Sequence, residues 1–223
     1  MSGVVSGTSR LAIDIHFDLI CPWCFIGKRQ LTLARSLLAD RQPGIVVALE
    51  WHPRQLLPDV PEEGVPFAAF YERRLGSPEA VWRRQQQVVW AAREVGLDLD
   101  LARIQRMPNT ARAHRLLRRV AALRQPALYE ALLDRMFAAY FQRGEDIGDA
   151  STLWMLAGEV GVPAVLRDDT TPGDASPPPG PTIAGVPHFV FNGRLSVSGA
   201  QAPAILFAAM YRAVQSPVAP ESA

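Results

Sequence analysis

Hydrophobic and polar residues alternate near the start of the chain, over residues 11–18. A period of two is typical of a strand with one face in a core, so this segment predicts a half-buried β-strand. The apolar positions are Ile13, Ile15 and Phe17, and the polar positions between them are Asp14, His16 and Asp18.

The spacing of apolar residues becomes helical from Pro22 to about residue 40, before the sequence Pro43-Gly44. Leu31, Ala34 and Leu38 stand at positions i, i+3 and i+7 of this segment, as on one face of a helix. Residues 45–51 are apolar and rich in β-branched side chains, which favours a buried strand. The first 51 residues therefore predict a strand–helix–strand unit.

The middle of the chain predicts a block of helices. One apolar stripe ends at Gly96, which suits the residue after a helix, and it consists of Val81, Gln85, Val88, Ala92 and Val95. Further helices are expected at about 110–123, 127–141 and 151–160. Residues 168–182 are crowded with proline and predict a loop.

The end of the chain predicts a hairpin and a last helix. The segments HFVF and RLSV flank Asn192-Gly193, a strong signal for a tight β-turn. Pro203 begins a helix whose expected core positions are Ile205, Leu206, Ala209, Met210 and Ala213. The predicted order is βαβ, a helical block and ββα, which is an α/β fold.

Composition narrows the class of protein. The 223 residues are 48% hydrophobic and 20% charged, so the chain can bury a core and is not disordered. The net charge of +1 gives no support to a nucleic-acid partner. No apolar run approaches the roughly 20 residues of a membrane span, and the first residues do not resemble a signal peptide. We expect a cytoplasmic protein without a membrane partner.

The two cysteines, Cys21 and Cys24, stand in one Cys-Pro-Trp-Cys motif. A disulfide framework would need more cysteines, spread along the chain. A structural zinc site needs four ligands, and the four histidines (His16, His52, His114 and His188) lack paired-ligand spacing, so no metal is expected. A redox dithiol is the preferred interpretation, and a pair of inert buried thiols is the alternative.

The position of the dithiol at a helix start suits this chemistry. Unpaired N–H groups and the positive end of the helix dipole favour a thiolate at Cys21, the expected nucleophile. Cys24, about one turn further on, is expected to resolve the mixed disulfide. Pro22 is tolerated in a first turn, and Trp23 is expected to contact substrate, with simple packing as its alternative.

Two further residues have competing interpretations. Asp18, three residues before the first cysteine, is expected to close the strand as an ordinary charged residue, and a proton-transfer role for Cys24 is its alternative. Pro187, in the segment Gly185-Val186-Pro187, suits either a strand entry or a cis peptide bond.

The helical block also carries charge. Residues 101–129 hold seven arginines and no acid. Arg112, Arg115 and Arg119 share one helix face, which is expected to be solvated, and an anion-binding surface is the alternative. His114, in the same helix, is expected to be a surface residue rather than one that borders a substrate groove.

Several segments together resemble the DsbA-type family with a thioredoxin fold, and within it the FrnE-like branch. The segments with the motifs CPWC (13–31) and GVP (185–201) carry the likeness, and residues 51–64, 107–117 and 137–149 resemble that branch's linker and helical insertion. The resemblance implies a thioredoxin-like domain interrupted by an all-helical insertion. The expected divisions are a flexible 1–10, a first thioredoxin-like part 11–60, the insertion 61–165, a Pro-rich loop 166–184, a second thioredoxin-like part 185–215 and a flexible 216–223.

The resemblance also implies roles. Cys21 is similar to the family's attacking cysteine and Cys24 to its resolving cysteine, while Pro187 matches a cis-proline beside the dithiol and Val186 offers its backbone to substrate. The implied activity is that of a thiol–disulfide oxidoreductase, a reductase or isomerase of protein disulfides. The alternative is a glutathione-dependent isomerase or transferase of the 2-hydroxychromene-2-carboxylate isomerase or kappa type. No cofactor is expected. The expected partners are disulfide-containing proteins or small thiols, with glutathione as a candidate redox partner, and both a monomer and a homodimer remain open.

Overall fold

A computed structural model describes residues 9–167 and 183–215 of the chain. The strands are β1 (Ser9–Phe17), β2 (Ile45–Pro53), β3 (Val65–Pro66), β4 (Arg106–Met107), β5 (His188–Phe191) and β6 (Leu195–Ser198). The helices are α1 (Pro22–Arg41), α2 (Phe67–Leu75), α3 (Pro78–Arg93), α4 (Ala111–Ala122), α5 (Pro126–Arg143), α6 (Ala150–Glu159) and α7 (Pro203–Gln215).

The described residues form two compact units. The sheet unit consists of residues 9–17, 26–54 and 183–215, and the helical unit consists of residues 18–25 and 55–167. The expected flexible termini and most of the expected Pro-rich loop lie outside the described residues. The domain boundaries expected from the sequence stay a prediction.

The sheet unit is built on four strands in the order β2-β1-β5-β6. Strands β1 and β2 are parallel, β5 is antiparallel to β1, and β6 is antiparallel to β5. This arrangement confirms the predicted βαβ and ββα segments and the α/β fold class.

One face of that sheet is buried by α1 and α7. Its core includes the apolar side of β1 and the predicted stripe of α1. Large side chains from the strands and α1 in this core are Leu11, Ile13, Ile15, Leu31, Leu38, Phe189 and Phe191. In α7 four of the five predicted core residues are buried, but Ile205 is 48% exposed. That prediction was wrong because Ile205 lies beside the buried stripe of Leu206, Ala209 and Ala213 rather than on it.

The hairpin of β5 and β6 turns at Asn192-Gly193, as predicted. The loop spans residues 192–194 and closes on the pair Phe191–Leu195, and Asn192 and Gly193 both have positive φ, 48° and 67°, a backbone region that asparagine and glycine tolerate best. The Asn192 side chain adds two bonds, accepting from the Ala12 N–H at 2.9 Å and donating to the Ala213 carbonyl at 3.0 Å.

The helical unit contains the predicted helices within one or two residues. Ser77 caps α3, because its hydroxyl accepts the Ala80 N–H at 3.2 Å. The predicted stripe is buried at Val81, Val88, Ala92 and Val95, with Gln85 half-buried. Helix α2 and the short pair β3–β4 were not predicted from the sequence. Among the described helices, none combines the length and the apolar character needed to cross a membrane.

Candidate active site

The two cysteines lie where the chain enters α1. Cys21 directly precedes the helix, and its N–H donates to the Asp18 carbonyl at 3.2 Å. Within the first turn, the Cys24 N–H donates to the Cys21 carbonyl at 2.9 Å. Both are free thiols, 8% and 2% exposed. The predicted placement of a dithiol at a helix start is therefore confirmed.

The surroundings shift the pKa values of the two thiols in opposite directions. The Cys24 thiol donates a hydrogen bond to the Cys21 sulfur and lowers the pKa of Cys21, and burial opposes this shift. The backbone N–H groups of Trp23 and Cys24 lower it further. The pKa of Cys24 is raised well above its usual value, first by burial and then by its hydrogen bond to Cys21. The first sulfur thus holds negative charge more easily than the second.

Asp18 follows β1, as expected for a strand-end residue, but its side chain is completely buried. One carboxylate oxygen lies 2.8 Å from Nε2 of His114, which donates to it. The other oxygen accepts the Leu56 N–H at 2.7 Å. The negative charge of Asp18 contributes to raising the pKa of both cysteines. A buried carboxylate thus lies close enough to act on the dithiol.

The surface position expected for His114 was wrong. Its side chain is 3% exposed and belongs to the buried side of α4. The signal was present in the sequence, because His114 stands three residues before the buried Leu117 and so shares its face.

Trp23 is half-buried in the helical unit. It lines a cavity together with Cys21 and Pro22. The Arg84 guanidinium lies 5.6 Å from the centre of the Trp23 ring, over its face. Behind the dithiol, the ring of Phe25 stacks on Phe137 at 5.1 Å between ring centroids. The first turn of α1 is therefore held within the helical unit by aromatic contacts.

The GVP segment belongs to the sheet unit. The peptide bond between Val186 and Pro187 is cis. Pro187 is buried, and Val186 is half-buried. The Pro187 ring lies against Gly27 of α1, so closely that a Cβ at Gly27 would stand 2.9 Å from its Cγ. Glycine at position 27 is what permits this approach.

The arginine face of α4 is half-buried rather than solvated, which corrects the expectation from the sequence. Arg112 donates to the Gly148 carbonyl at 2.9 Å, and Arg119 donates to the Leu166 carbonyl at 3.4 Å. Two of the guanidinium groups that were expected to be solvated therefore donate hydrogen bonds to backbone carbonyls of neighbouring segments.

The sheet unit brings together a set of side chains that spacing did not reveal. Asp14, Glu50 and His52 place one ligand atom each within 4.8 Å of one another. Parallel pairing explains the meeting, since Asp14 is opposite Glu50 and the next pair on that face is His16 with His52. His52 Nε2 donates to Asp14 at 2.9 Å. None of the three residues belongs to the helical unit that contains the dithiol.

Comparison with known proteins decides the family. The family model for the DSBA-like thioredoxin domain matches residues 12–173. The chain belongs to this family. The expected thioredoxin-like fold is confirmed, and the family is one of thiol–disulfide oxidoreductases.

The individual proteins that resemble this chain share at most a quarter of its residues in the matched regions. The uncharacterized protein YwbO of Bacillus subtilis is 25% identical to this chain over 150 residues. The match covers 67% of this chain and 66% of YwbO, so the chain spans slightly less than two thirds of the length of that relative. The crystal structure of a probable DsbA oxidoreductase, SCO1869 from Streptomyces coelicolor, has a TM-score of 0.78 and 24% identity, and the match covers 96% of this chain and 94% of that one. A 2-hydroxychromene-2-carboxylate isomerase has a TM-score of 0.57 and 14% identity, covering 90% and 95%. These two structures share the fold.

Proposed function

We propose that the protein is a thiol–disulfide oxidoreductase that reduces or isomerises protein disulfides, with Cys21 as nucleophile and Cys24 as resolving cysteine. One observation carries the proposal. The Cys24 thiol donates a hydrogen bond to the Cys21 sulfur, and the pKa of Cys21 is lowered while that of Cys24 is raised. Thiolates, and not thiols, attack disulfides, so this asymmetry selects the first cysteine.

The reaction proceeds in two exchanges. The Cys21 thiolate attacks one sulfur of the substrate disulfide, a mixed disulfide forms, and one substrate thiolate leaves. Cys24 then loses its proton and attacks the Cys21 sulfur, which releases the second substrate thiolate. The substrate is reduced by two electrons, and the dithiol becomes a disulfide.

The second exchange needs a proton acceptor, because the pKa of Cys24 is raised. Asp18 is proposed for this proton-transfer step, since its buried carboxylate acts on both thiols and a positioned carboxylate can serve as a base. His114 would hold the carboxylate in place through the 2.8 Å hydrogen bond.

Four residues are proposed to contact substrate. Pro22 and Trp23 adjoin Cys21 at the start of α1 and line the same cavity. Val186 and Pro187 are proposed from the family resemblance, with the half-buried Val186 offering backbone groups to an extended chain. A reducing cytoplasm is the proposed setting, with protein disulfides or small thiols as partners and glutathione as a candidate redox partner.

Serine variants of the two cysteines test the assignment. Cys21→Ser should abolish the reduction of a protein disulfide such as that of insulin. Cys24→Ser should accumulate mixed disulfides with substrate, visible by mass spectrometry and reversed by dithiothreitol. Trapping by the Cys21→Ser variant instead of the Cys24→Ser variant would reverse the roles.

The cavity beside Cys21 favours one other function. Its volume of about 550 Å³ is in the range of small-molecule sites, which suits a glutathione-dependent isomerase or transferase. Such an enzyme would not need the second thiol. Glutathione-dependent isomerase activity that survives in the Cys21→Ser variant would favour this function over disulfide exchange.

A further inference from the structure

The helical unit contains a cavity of about 550 Å³ with Cys21 in its wall. The first turn of α1 forms one side, and α2 and α3 form much of the rest. Small-molecule sites have volumes of about 300–1,000 Å³. The space therefore suits one compact ligand that reaches the dithiol.

The walls of this cavity are apolar and rich in aromatic rings. Helix α2 contributes Phe67, Phe70 and Tyr71, and α3 contributes Val81 and Val88. Aromatic side chains bury large areas and stack favourably on flat rings. A ligand with an aromatic body would fit these walls better than a polar one.

The charge of the lining has one sign. Among the described residues that line the cavity, Arg74 and Arg84 are the charged ones, and no aspartate or glutamate joins them. Both arginines are exposed, so they stand at the solvent side of an apolar space. The Arg84 guanidinium lies over the ring of Trp23, which stands two positions after Cys21 in the sequence. Guanidinium groups at this rim would attract a carboxylate.

We propose that this cavity selects small aromatic disulfides that carry a carboxylate, and that it presents their sulfur to Cys21. The proposal rests on the proposed function, because it needs Cys21 as the attacking thiolate. That thiolate attacks one ligand sulfur, the ligand S–S bond breaks, and an aromatic thiolate leaves. Attack by Cys24 on the Cys21 sulfur releases the second aromatic thiolate, so the ligand gains two electrons and the dithiol is oxidised.

The test is single-turnover kinetics of the reduced protein with three disulfides. The probes are 5,5′-dithiobis(2-nitrobenzoate), which is aromatic and anionic, 2,2′-dithiodipyridine, which is aromatic and neutral, and 3,3′-dithiodipropionate, which is anionic and aliphatic. Each rate is divided by the rate of the same probe with free 2-mercaptoethanol, a thiol without a charged group besides the thiolate, to remove intrinsic reactivity. The normalised rate should be highest for the aromatic anion.

Charge variants distinguish an effect of the two arginines that line the cavity from an effect of the protein's overall positive charge. Arg74→Gln and Arg84→Gln should each lower the normalised rate with 5,5′-dithiobis(2-nitrobenzoate) about two- to fivefold, the scale of one exposed ion pair. Their neighbours Arg73 and Arg83 are exposed and do not line the cavity, so Arg73→Gln and Arg83→Gln are matched controls with little expected effect. The rate with 2,2′-dithiodipyridine should be unchanged in the two control variants, and in Arg74→Gln and Arg84→Gln it should fall less than the rate with 5,5′-dithiobis(2-nitrobenzoate).

A variant that fills the cavity gives an independent measurement. Val88→Phe adds a ring at a buried lining position and should slow both aromatic probes more than the aliphatic one, with circular dichroism to confirm folding. Equal normalised rates for the three probes, or equal effects of Arg83→Gln and Arg84→Gln, would overturn the inference while leaving disulfide exchange intact. A reduced protein that reacts with none of the probes and reduces no protein disulfide would overturn the proposed function instead.

Discussion

The buried pair of Asp18 and His114 should be one of the costliest interactions to break in this protein. Their side chains are 0% and 3% exposed, and the two atoms of the hydrogen bond lie 2.8 Å apart. His114→Leu keeps much of the side-chain volume but leaves the carboxylate with the Leu56 N–H as its remaining described donor. Removing the partner of a buried charge costs about 3–5 kcal/mol, because the carboxylate stays buried without that partner. We expect a loss of this size in the free energy of unfolding.

The chain offers a matched control in a second histidine–aspartate pair. His52 and Asp14 are joined at 2.9 Å, but their side chains are 34% and 32% exposed. Water can solvate either partner when the other is removed, so His52→Leu should cost at most about 1 kcal/mol. The two substitutions are chemically identical, and the two hydrogen bonds are nearly equal in length. His52→Leu also removes the stacking of the His52 ring on His16, so a larger loss for His114→Leu reports the burial of its pair.

Urea unfolding at pH 7 with reduced thiols, followed by circular dichroism, measures both losses. Thermal unfolding should show His114→Leu lower in Tm by about 6–20 °C, at roughly 2–4 °C per kcal/mol for a chain of this size. His114→Gln keeps a donor for the carboxylate and should recover part of the loss. Equal losses for His52→Leu and His114→Leu would refute the reasoning from burial.

Three further predictions concern packing and protonation. Gly27→Ala should lower the free energy of unfolding by about 1–3 kcal/mol, since its Cβ would stand 2.9 Å from the Pro187 ring; an unchanged urea midpoint would contradict this. In the reduced protein, iodoacetamide should modify Cys21 at lower pH than Cys24, because the pKa of Cys21 is lowered and that of Cys24 is raised. Mass spectrometry measures the order of modification, and modification of Cys24 first would contradict this prediction. Burial, followed by the positive charges of neighbouring histidines and an arginine, lowers the pKa of His16 to about 4, so the unfolded chain binds more protons between pH 4 and 6.5. The free energy of unfolding should therefore rise with pH across that window, and His16→Gln should reduce the slope; identical slopes would argue against a depressed pKa.

Periodicity predicted most of the fold because each segment's pattern is local. The strands β1 and β2, the helix α1 and the hairpin carry clear periods or turn signals, and the structure places them within a few residues of the prediction. Helix α2 was missed although Phe67, Phe70 and Tyr71 follow a helical spacing, because the segment is short and begins just after a proline. Its glycine stop, Gly76 with φ of 90°, was also available as a signal.

The position of the dithiol was predictable, but its surroundings were not. The Asp18–His114 hydrogen bond joins residues 96 positions apart, and sequence gives no register between the end of β1 and α4. The meeting of Asp14, Glu50 and His52 likewise depends on the pairing of two parallel strands. Neither set follows from local sequence patterns, because each is made of residues that are unremarkable within their own segments.

The surroundings of the dithiol come largely from the part of the chain that sequence reasoning treats as an insertion. Helices α2 and α3 line the cavity at Cys21, α4 supplies the partner of Asp18, and α5 supplies the ring that stacks on Phe25. These contacts, all within the helical unit, bear on the charge of the thiols and on what can reach them. Substitutions in residues 55–167 can therefore change substrate choice while the sheet unit keeps its own core.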